Sequence, residues 1–185
     1  MNNVKLSELC EIRIGRTPRR NNRKYWKDGI HPWITIRELD YGLINSSNEQ
    51  ITDLALKNMP KRTEPGTILY SFKLSIGKMG IANIPLWHNE AIASLIIDDK
   101  NLIHRDYLYY YLKYVGHRSI ANNAVLGKTL NKKSLSDIII ILPDLKKQIE
   151  ISKKIKQIDT ILLNLKNTEK EFENLSESLF YKYID

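Results

Sequence analysis

Cysteine and long apolar runs are both scarce in this sequence, and each absence excludes a class of protein. The 185 residues contain a single cysteine, Cys10. One thiol cannot form an intramolecular disulfide or a thiolate zinc site, so we expect Cys10 to be a small buried hydrophobe in a reducing cytosol. No segment approaches the run of about 20 apolar residues that a membrane helix requires, so we expect a cytoplasmic protein without a membrane span.

Signatures of catalysis and of cofactor binding are also missing. A phosphate-binding loop ending at residues 127–129 (GKT) would need glycine at position 122, where the chain has Asn122. Residues 143–144 (PD) lack the downstream acidic residue and lysine of a metal-dependent nuclease. The histidines do not have the spacing of metal ligands: His31, His88, His104 and His117. The sequence therefore predicts a protein that is not an enzyme and has no cofactor and no metal site.

Acidic residues are absent from one segment near the start of the chain. Residues 13–27 contain seven Lys or Arg and no Asp or Glu. The net charge of the chain is +8; residues 1–146 have 22 basic and 14 acidic side chains, whereas residues 147–185 have seven of each. Because like charges repel unless they meet an anion, this distribution favours nucleic acid as the partner.

The basic segment is predicted to be a loop. The basic loop, residues 15–29, contains Gly15, Pro18 and Gly29, which interrupt regular structure, while Tyr25 and Trp26 are expected to anchor its far end to the core. Arginine can donate two hydrogen bonds to a guanine edge, and lysine can neutralise phosphates. Basic residues in this loop and beside other loop-forming residues are therefore the predicted DNA contacts: Arg16, Arg19, Arg20, Arg23, Lys24, Arg37, Lys73, Lys78 and Lys128.

Short elements of both kinds alternate over residues 1–143. Periodicity and turn signals predict a helical turn and strand at 4–14, strands at 31–36, 67–72, 78–84 and 90–97, and helices at 53–59 and 105–115. Thr52 is the predicted cap of the first of these helices. The apolar run at 137–142 predicts a buried strand. The expected class is α+β, with one small, mixed, mostly antiparallel sheet in a single domain.

Glycine and proline are absent after Pro143, where the pattern changes. Apolar residues recur every seven positions, which predicts one coiled-coil helix of about 35–40 residues, about 50–60 Å long. Such a helix outruns its own domain, so residues 144–185 are expected to pair with a second helix; the alternative is a helix folded back over its own sheet. The expected contact residues are Ile151, Ile155, Ile158, Leu162, Leu165, Phe172 and Leu179.

The order of the motifs resembles the specificity subunits of type I restriction-modification systems. The segments that carry the resemblance are 5–9 (KLSEL), 15–18 (GRTP), 25–35 (YWKDGIHPWIT), 65–69 (PGTIL), 75–78 (SIGK), 106–112 (DYLYYYL), 126–130 (LGKTL) and 141–149 (ILPDLKKQI). The family implies target-recognition domains that each read half of a bipartite site in double-stranded DNA. It also implies long helices that set the spacing and bind methyltransferase and restriction subunits.

The sequence departs from the family in having one recognition domain and one helix, with no internal repeat. Two copies could rebuild the usual arrangement by pairing their helices antiparallel, which implies a homodimer that reads an inverted repeat. Alternatively, the chain is a partial or silent gene product that pairs with a different half. The competing functions are a small nuclease that acts alone and a basic adaptor for RNA or an acidic protein.

Overall fold

The computed structural model describes residues 2–73, 75–116 and 131–184. The strands are β1 (Asn2–Lys5), β2 (Cys10–Ile14), β3 (His31–Ile34), β4 (Leu43–Ile44), β5 (Glu49–Ile51), β6 (Ile68–Ser71), β7 (Met79–Ala82), β8 (Trp87–His88), β9 (Ile92–Ile97) and β10 (Ile139–Leu142). The helices are α1 (Leu6–Leu9), α2 (Asp53–Leu56), α3 (Arg105–Tyr111), α4 (Lys132–Ser136) and α5 (Leu145–Ile184).

The strands form three sheets, where the sequence had indicated one. The largest has the order β2-β9-β6-β7-β4, a second has the order β5-β3-β8, and β1 pairs with β10. Neighbouring strands are antiparallel except for the parallel pairs β4–β7 and β3–β8. The α+β class, the mostly antiparallel pairing and the long C-terminal helix are therefore confirmed, and the 40 residues of α5 agree with the predicted length.

The central strand β6 is buried on both faces, so it divides the interior into two cores. Ile68 and Tyr70 point into the core that α3 and the start of α5 cover, whereas Leu69 points into a second core with Ile34 and Leu86. This alternation follows from the period of two in a strand. The larger core also contains the buried Cys10, as expected.

The prediction that 137–142 forms a fully buried strand was wrong. Strand β10 pairs only with β1, and in this two-stranded sheet one face packs against the core while the other faces solvent. Ile140 is therefore fully buried, whereas Ile139 and Ile141 are 46% and 41% exposed. A continuous apolar run does not reveal how many neighbours a strand will have, which decides how many faces are covered.

Several predicted elements end earlier because local hydrogen bonds end them. Strand β3 stops at Ile34 because Thr35 caps a 3-10 turn. The Glu38 carboxylate accepts a hydrogen bond from the Thr35 amide at 3.0 Å. The predicted helix at 53–59 is only the four residues of α2. The Thr52 hydroxyl does not cap it but donates to the Lys24 carbonyl at 2.8 Å, which ties α2 to the basic loop.

Three buried polar side chains form a hydrogen-bonded series beneath the start of the basic loop. His88 is 3% exposed, and its Nε2 lies 2.6 Å from Ser94 Oγ, which in turn lies 2.7 Å from Thr63 Oγ1. Gly15 passes so close that an added Cβ would lie 2.1 Å from the His88 carbonyl oxygen, so no larger residue fits. His88 is thus a buried, hydrogen-bonded histidine, and burial lowers the pKa of its imidazole from 6.5 to about 4.

We expect this histidine to make stability depend on pH. Because His88 stays neutral in the fold but takes up a proton in the unfolded chain, its contribution to the free energy of unfolding is complete above pH 6.5 and is lost as the pH falls toward 4. The loss is about 3 kcal/mol at 1.36 kcal/mol per pKa unit. Urea unfolding at several pH values measures it against His88→Gln. An equally steep decline in that variant would show that other groups are responsible.

Candidate nucleic-acid interface

Two tryptophans fix the path of the basic loop, residues 15–29. The Trp33 indole donates to the Arg16 carbonyl and the Trp26 indole donates to the Arg19 carbonyl, each at 3.1 Å. The two rings meet edge to face with centroids 5.0 Å apart. Because Trp33 is itself buried on strand β3, these bonds attach the loop backbone to the core and leave several of its charged side chains at the surface.

Arg20 holds the loop together from the outside. Its guanidinium lies 3.9 Å from the centroid of Trp26 and 4.6 Å from that of Trp33. Both its terminal nitrogens donate to the two carboxylate oxygens of Glu49, at the start of β5. A stacked and doubly hydrogen-bonded arginine has little freedom left, so this predicted DNA contact also has a structural role.

The fold brings together three of the predicted DNA contacts that are distant in sequence. Arg20, Arg37 and Lys78 line one open cleft of about 480 Å³. Arg37 lies in the 3-10 turn after β3, and Lys78 immediately precedes β7. The cleft also has neutral polar residues that reasoning from charge missed: Thr35, Asn48, Ser75 and Asn89. Their only signal in the sequence is a side chain of the type that can hydrogen-bond to base edges.

The two acidic residues of the cleft are already engaged. Glu49 pairs with Arg20, and Glu38 accepts from the amide and hydroxyl of Thr35. Within the described ranges, neither Arg37 nor Lys78 forms an ion pair. The cleft therefore presents two cations whose charge is not neutralised by a direct partner.

Lys78 is presented by a tight turn between β6 and β7. Ser75 and Gly77 have φ angles of +47° and +89°, in the left-handed region that favours glycine. The Gly77 amide donates to the Ser71 carbonyl at 2.9 Å, and the Lys78 amide donates to the Ser75 carbonyl at 3.2 Å. These bonds order the turn and bring Lys78 to the rim of the cleft.

Lys73 lies on the same side of the molecule as Arg20. Burial would raise the pKa of the Glu90 carboxyl, but a 2.5 Å hydrogen bond from the Thr17 hydroxyl and the charges of Lys73 and Arg20 lower it below its ordinary value. Lys73 and Arg20 are thus both near enough to Glu90 to act on its charge. Lys73 therefore extends the positive surface beyond the cleft.

The remaining predicted contacts lie elsewhere in the loop or outside the described residues. The Arg16 guanidinium donates to the Asn58 carbonyl at 2.7 Å, which ties it to the segment after α2. Arg19, Arg23 and Lys24 are exposed and form no ion pair with the described part of the chain. Lys128 lies outside the described residues.

The long helix α5 is attached to the domain through a buried glutamine. The Gln148 side chain is fully buried and accepts from the His104 amide at 2.8 Å. Its amide nitrogen donates to the carbonyls of Leu102 and Pro143 at 3.0 and 2.9 Å. The start of the helix is capped by Asp144, whose side chain accepts from the Lys147 amide at 2.9 Å.

The apolar stripe of the long helix, formed by its seven predicted contact residues, has two parts in the structure. Ile151 and Ile155 are half-buried and pack against the larger core of their own domain. The other five predicted residues are between 45% and 65% exposed: Ile158, Leu162, Leu165, Phe172 and Leu179. The alternative of a helix folded back over its own sheet thus describes only the first turns of α5.

Comparison with known proteins identifies the family to which this combination of a positively charged cleft and a long helix belongs. The sequence model of the type I restriction modification DNA specificity domain matches residues 1–173. The chain belongs to this family.

Individual members of the specificity family cover nearly all of this chain but are longer. The specificity subunit of the type I restriction enzyme MjaIX, from Methanocaldococcus jannaschii, is 29% identical over 187 residues, which cover 97% of this chain and 43% of the relative. The specificity subunit of HindI, from Haemophilus influenzae, is 26% identical over 144 residues, which cover 75% and 31%. The chain therefore spans less than half the length of these relatives.

Solved structures show the same fold. A chain from a study of complex assembly and conformational transition in a type I R-M system superposes with a TM-score of 0.76 at 22% identity, covering 96% of this specificity-family chain and 43% of that chain. The HsdS subunit from Thermoanaerobacter tengcongensis gives a TM-score of 0.71 at 23% identity, covering 90% and 39%.

The described residues also bear on two other classes of protein, metal-binding and membrane-spanning. They contain no group of three His, Cys, Asp or Glu side chains placed to hold a metal ion. Within the same ranges, no helix is long and apolar enough to cross a membrane.

Proposed function

We propose that this chain reads one DNA half-site for a type I restriction-modification system and does not itself cut or methylate DNA. The observation that carries the proposal is the cleft in which Arg20, Arg37 and Lys78 converge from three separate segments. In a member of a DNA specificity family, a positive cleft with neutral polar residues is suited to base reading, because it combines charge with hydrogen-bonding groups.

The two free cations of the cleft have different roles in this proposal. Arg37 donates two hydrogen bonds to a guanine in the major groove, which discriminates against a wrong base by about 1–3 kcal/mol. Lys78 neutralises a phosphate next to that base. Asn48 is placed in the same cleft and offers the donor and acceptor pair that matches adenine.

The predicted contacts outside the cleft act mainly on the DNA backbone. Arg19, Arg23, Lys24 and Lys73 are exposed, and we assign them to phosphates together with Lys128. Arg16 is held by the Asn58 carbonyl, so its role is to fix the loop unless that bond opens on binding.

We further propose that two chains associate through α5. The apolar stripe beyond residue 157 is exposed in one chain and needs a second helix to bury it. Residues 145–159 contain five Lys and two acidic side chains, whereas residues 160–185 contain three Lys and five acidic ones. Antiparallel pairing brings opposite charges together, so the dimer would have two-fold symmetry and read an inverted repeat.

This division assigns residues 1–143 to target recognition and residues 144–185 to spacing and partner binding. A methyltransferase subunit and a restriction subunit would supply the chemistry. Selection from a random duplex library, with the chain mixed with its candidate methyltransferase partner, tests the proposal. We expect an enriched inverted repeat with a constant gap, whereas metal-dependent cleavage by the chain alone would indicate a nuclease, and binding without a duplex preference would indicate an adaptor.

Substitutions in the cleft separate its two proposed roles. Arg37→Ala should relax base preference at one position of each half-site, while Lys78→Ala should weaken binding to all sequences and reduce the salt slope by about 0.9 per lost phosphate contact. Together they should lower affinity by roughly 10- to 100-fold, since each contact contributes on the order of 1 kcal/mol or more. Fluorescence anisotropy at several salt concentrations measures both effects.

The control for the double variant of Arg37 and Lys78 removes two positive charges outside the cleft. Lys100→Ala with Lys153→Ala removes two exposed lysines, one after β9 and one on α5. We expect little change in its affinity or base preference. If the cleft pair and the control pair bind alike, the cleft is not the DNA-reading surface.

A further inference from the structure

Among the described residues, the last contact between α5 and its own domain is made by Asp159, which forms an ion pair with Lys113 and a hydrogen bond with Tyr114. Lys113 Nζ lies 2.6 Å from Asp159 Oδ2, and the Tyr114 hydroxyl donates to the other oxygen of the same carboxylate. The Lys113 and Asp159 side chains are only 18% and 23% exposed. Every described residue of α5 after Asp159 is exposed, so the helix leaves the described part of the domain at this point.

The geometry of the chain before Gly116 makes this contact possible. Helix α3 widens into a π-helical turn, Leu112–Gly116, and such turns are frequent at functional positions. Here the turn lets two consecutive residues, Lys113 and Tyr114, reach one carboxylate. Burial would lower the pKa of the Lys113 ammonium, but its bonds to Asp159 and Tyr114 outweigh burial and raise it, so the lysine stays charged.

The same lysine also contacts the segment that carries the DNA-reading cleft. Its ammonium lies 5.5 Å from the ring centroid of Tyr41, as well as 5.9 Å from that of Tyr110 and 4.9 Å from that of Tyr114. Tyr41 has a φ of +55°, and its amide donates to the Met79 carbonyl at 2.8 Å. Tyr41 is thus fixed between the turn that follows Arg37 and the strand that follows Lys78.

We propose that Lys113 and Asp159 are positioning residues that fix the direction of α5 relative to the DNA-reading cleft, and so set the gap between the two half-sites. The inference rests on the proposed dimer. Gln148 is a hydrogen-bonded anchor near the start of the helix, and Ile151 and Ile155 then pack against the core through apolar contacts, which are not directional. The Lys113–Asp159 pair supplies a second hydrogen-bonded point about 16 Å beyond Gln148, at 1.5 Å per residue.

The length of the free helix shows why the second point matters. From Asp159 to the end of α5 the helix extends for about 37 Å. A tilt of about 10° at the domain would displace the far end by roughly 6 Å, which is nearly two base pairs at 3.4 Å each. Loosening the contact should therefore alter the gap while the base preference of each half-site stays the same.

The test uses the full chain with one charge removed. Lys113→Met keeps most of the side-chain length but cannot pair with Asp159, and Asp159→Asn keeps the shape of its side chain without the charge. Lys153→Met is the matched control, because Lys153 is exposed on the same helix. Circular dichroism and the melting temperature establish that each variant is folded, and Asp159→Asn is the milder change if Lys113→Met does not fold.

The first readout is a distance within one chain. Spin labels are attached at Lys100→Cys, in the domain, and at Lys166→Cys, on the free helix, since the buried Cys10 does not compete for the label. Labelled chains are diluted with unlabelled ones so that only intramolecular distances are measured. We expect a distribution that broadens or shifts by several ångströms in Lys113→Met and Asp159→Asn but not in Lys153→Met. Unchanged distributions would contradict the proposed clamp, that is, the Lys113–Asp159 pair as the contact that fixes the direction of α5.

The second readout is the gap in the selected DNA. In the two clamp variants we expect the half-site sequence of the wild-type chain with a gap that varies by one or two base pairs. A wild-type gap, despite an altered label distance, would overturn the role in spacing. If the wild-type chain selects no inverted repeat while the label distances respond as expected, the dimer proposal fails, and with it the role in spacing, although the clamp itself is established.

Discussion

Leu165→Asp is expected to convert the proposed dimer into monomers at micromolar concentration. Leu165 lies near the middle of the exposed stripe and is 60% exposed in one chain, so a partner helix would cover it. Because the dimer has two copies of each residue, the substitution places two unpaired charges in the seam. Each is expected to cost on the order of 3 kcal/mol, which is sufficient to dissociate a dimer of micromolar affinity.

The measurement is the mass by light scattering or sedimentation over a range of concentrations, with circular dichroism to show that the recognition domain is still folded. Asn167→Asp introduces the same charge two residues away, on the opposite side of the helix, and should leave association unchanged. Phe172→Asp should behave like Leu165→Asp. A dimer of wild-type affinity in both stripe variants would contradict pairing through α5.

Gln148→Ala should lower the free energy of unfolding by about 3 kcal/mol or more. The substitution leaves three backbone groups without the partner they have in the fold, namely the His104 amide and the carbonyls of Leu102 and Pro143. A buried backbone group without a partner costs about 1–3 kcal/mol, although water entering the space left by the side chain reduces the total. Equilibrium unfolding in urea measures the change.

Two further variants separate hydrogen bonding from packing at this junction. Gln148→Glu has the same shape and can accept from the His104 amide, but it cannot donate to the two carbonyls, so we expect it to be nearly as destabilising as Gln148→Ala. Gln157→Ala removes an exposed glutamine from the same helix and should change stability by less than about 0.5 kcal/mol. A stable Gln148→Glu would show that the fold needs the volume of the side chain and not its donor.

Positions on the long helix were predictable because its signals are local. The absence of glycine and proline after Pro143 and a seven-residue apolar period depend only on neighbours along the chain. Strand β10 was less predictable, since the exposure of Ile139 and Ile141 follows from its pairing with β1, which is more than 130 residues earlier in the sequence. Short strands such as β4 and β8 are too brief to give a period, and they depend on distant partners.

The candidate site was predictable only as a set of residue types. Charge and loop position identified Arg20, Arg37 and Lys78 separately, but nothing in their spacing indicated that they share a cleft. The sequence also gave no sign that Glu49 binds Arg20, because the two residues lie 29 positions apart. Asn48 was overlooked, since a neutral side chain adds nothing to a count of charges.

The sequence by itself determined the excess of positive charge in the first part of the chain, the long helix after Pro143 and the resemblance to specificity subunits. Each of these is a property of composition or of order along the chain. Only the tertiary structure decided which cations are already paired and which part of the apolar stripe is free. Ile155 packs on its own domain while Leu165 does not, and that difference depends on where the surface of the domain ends, which is set by contacts between distant segments.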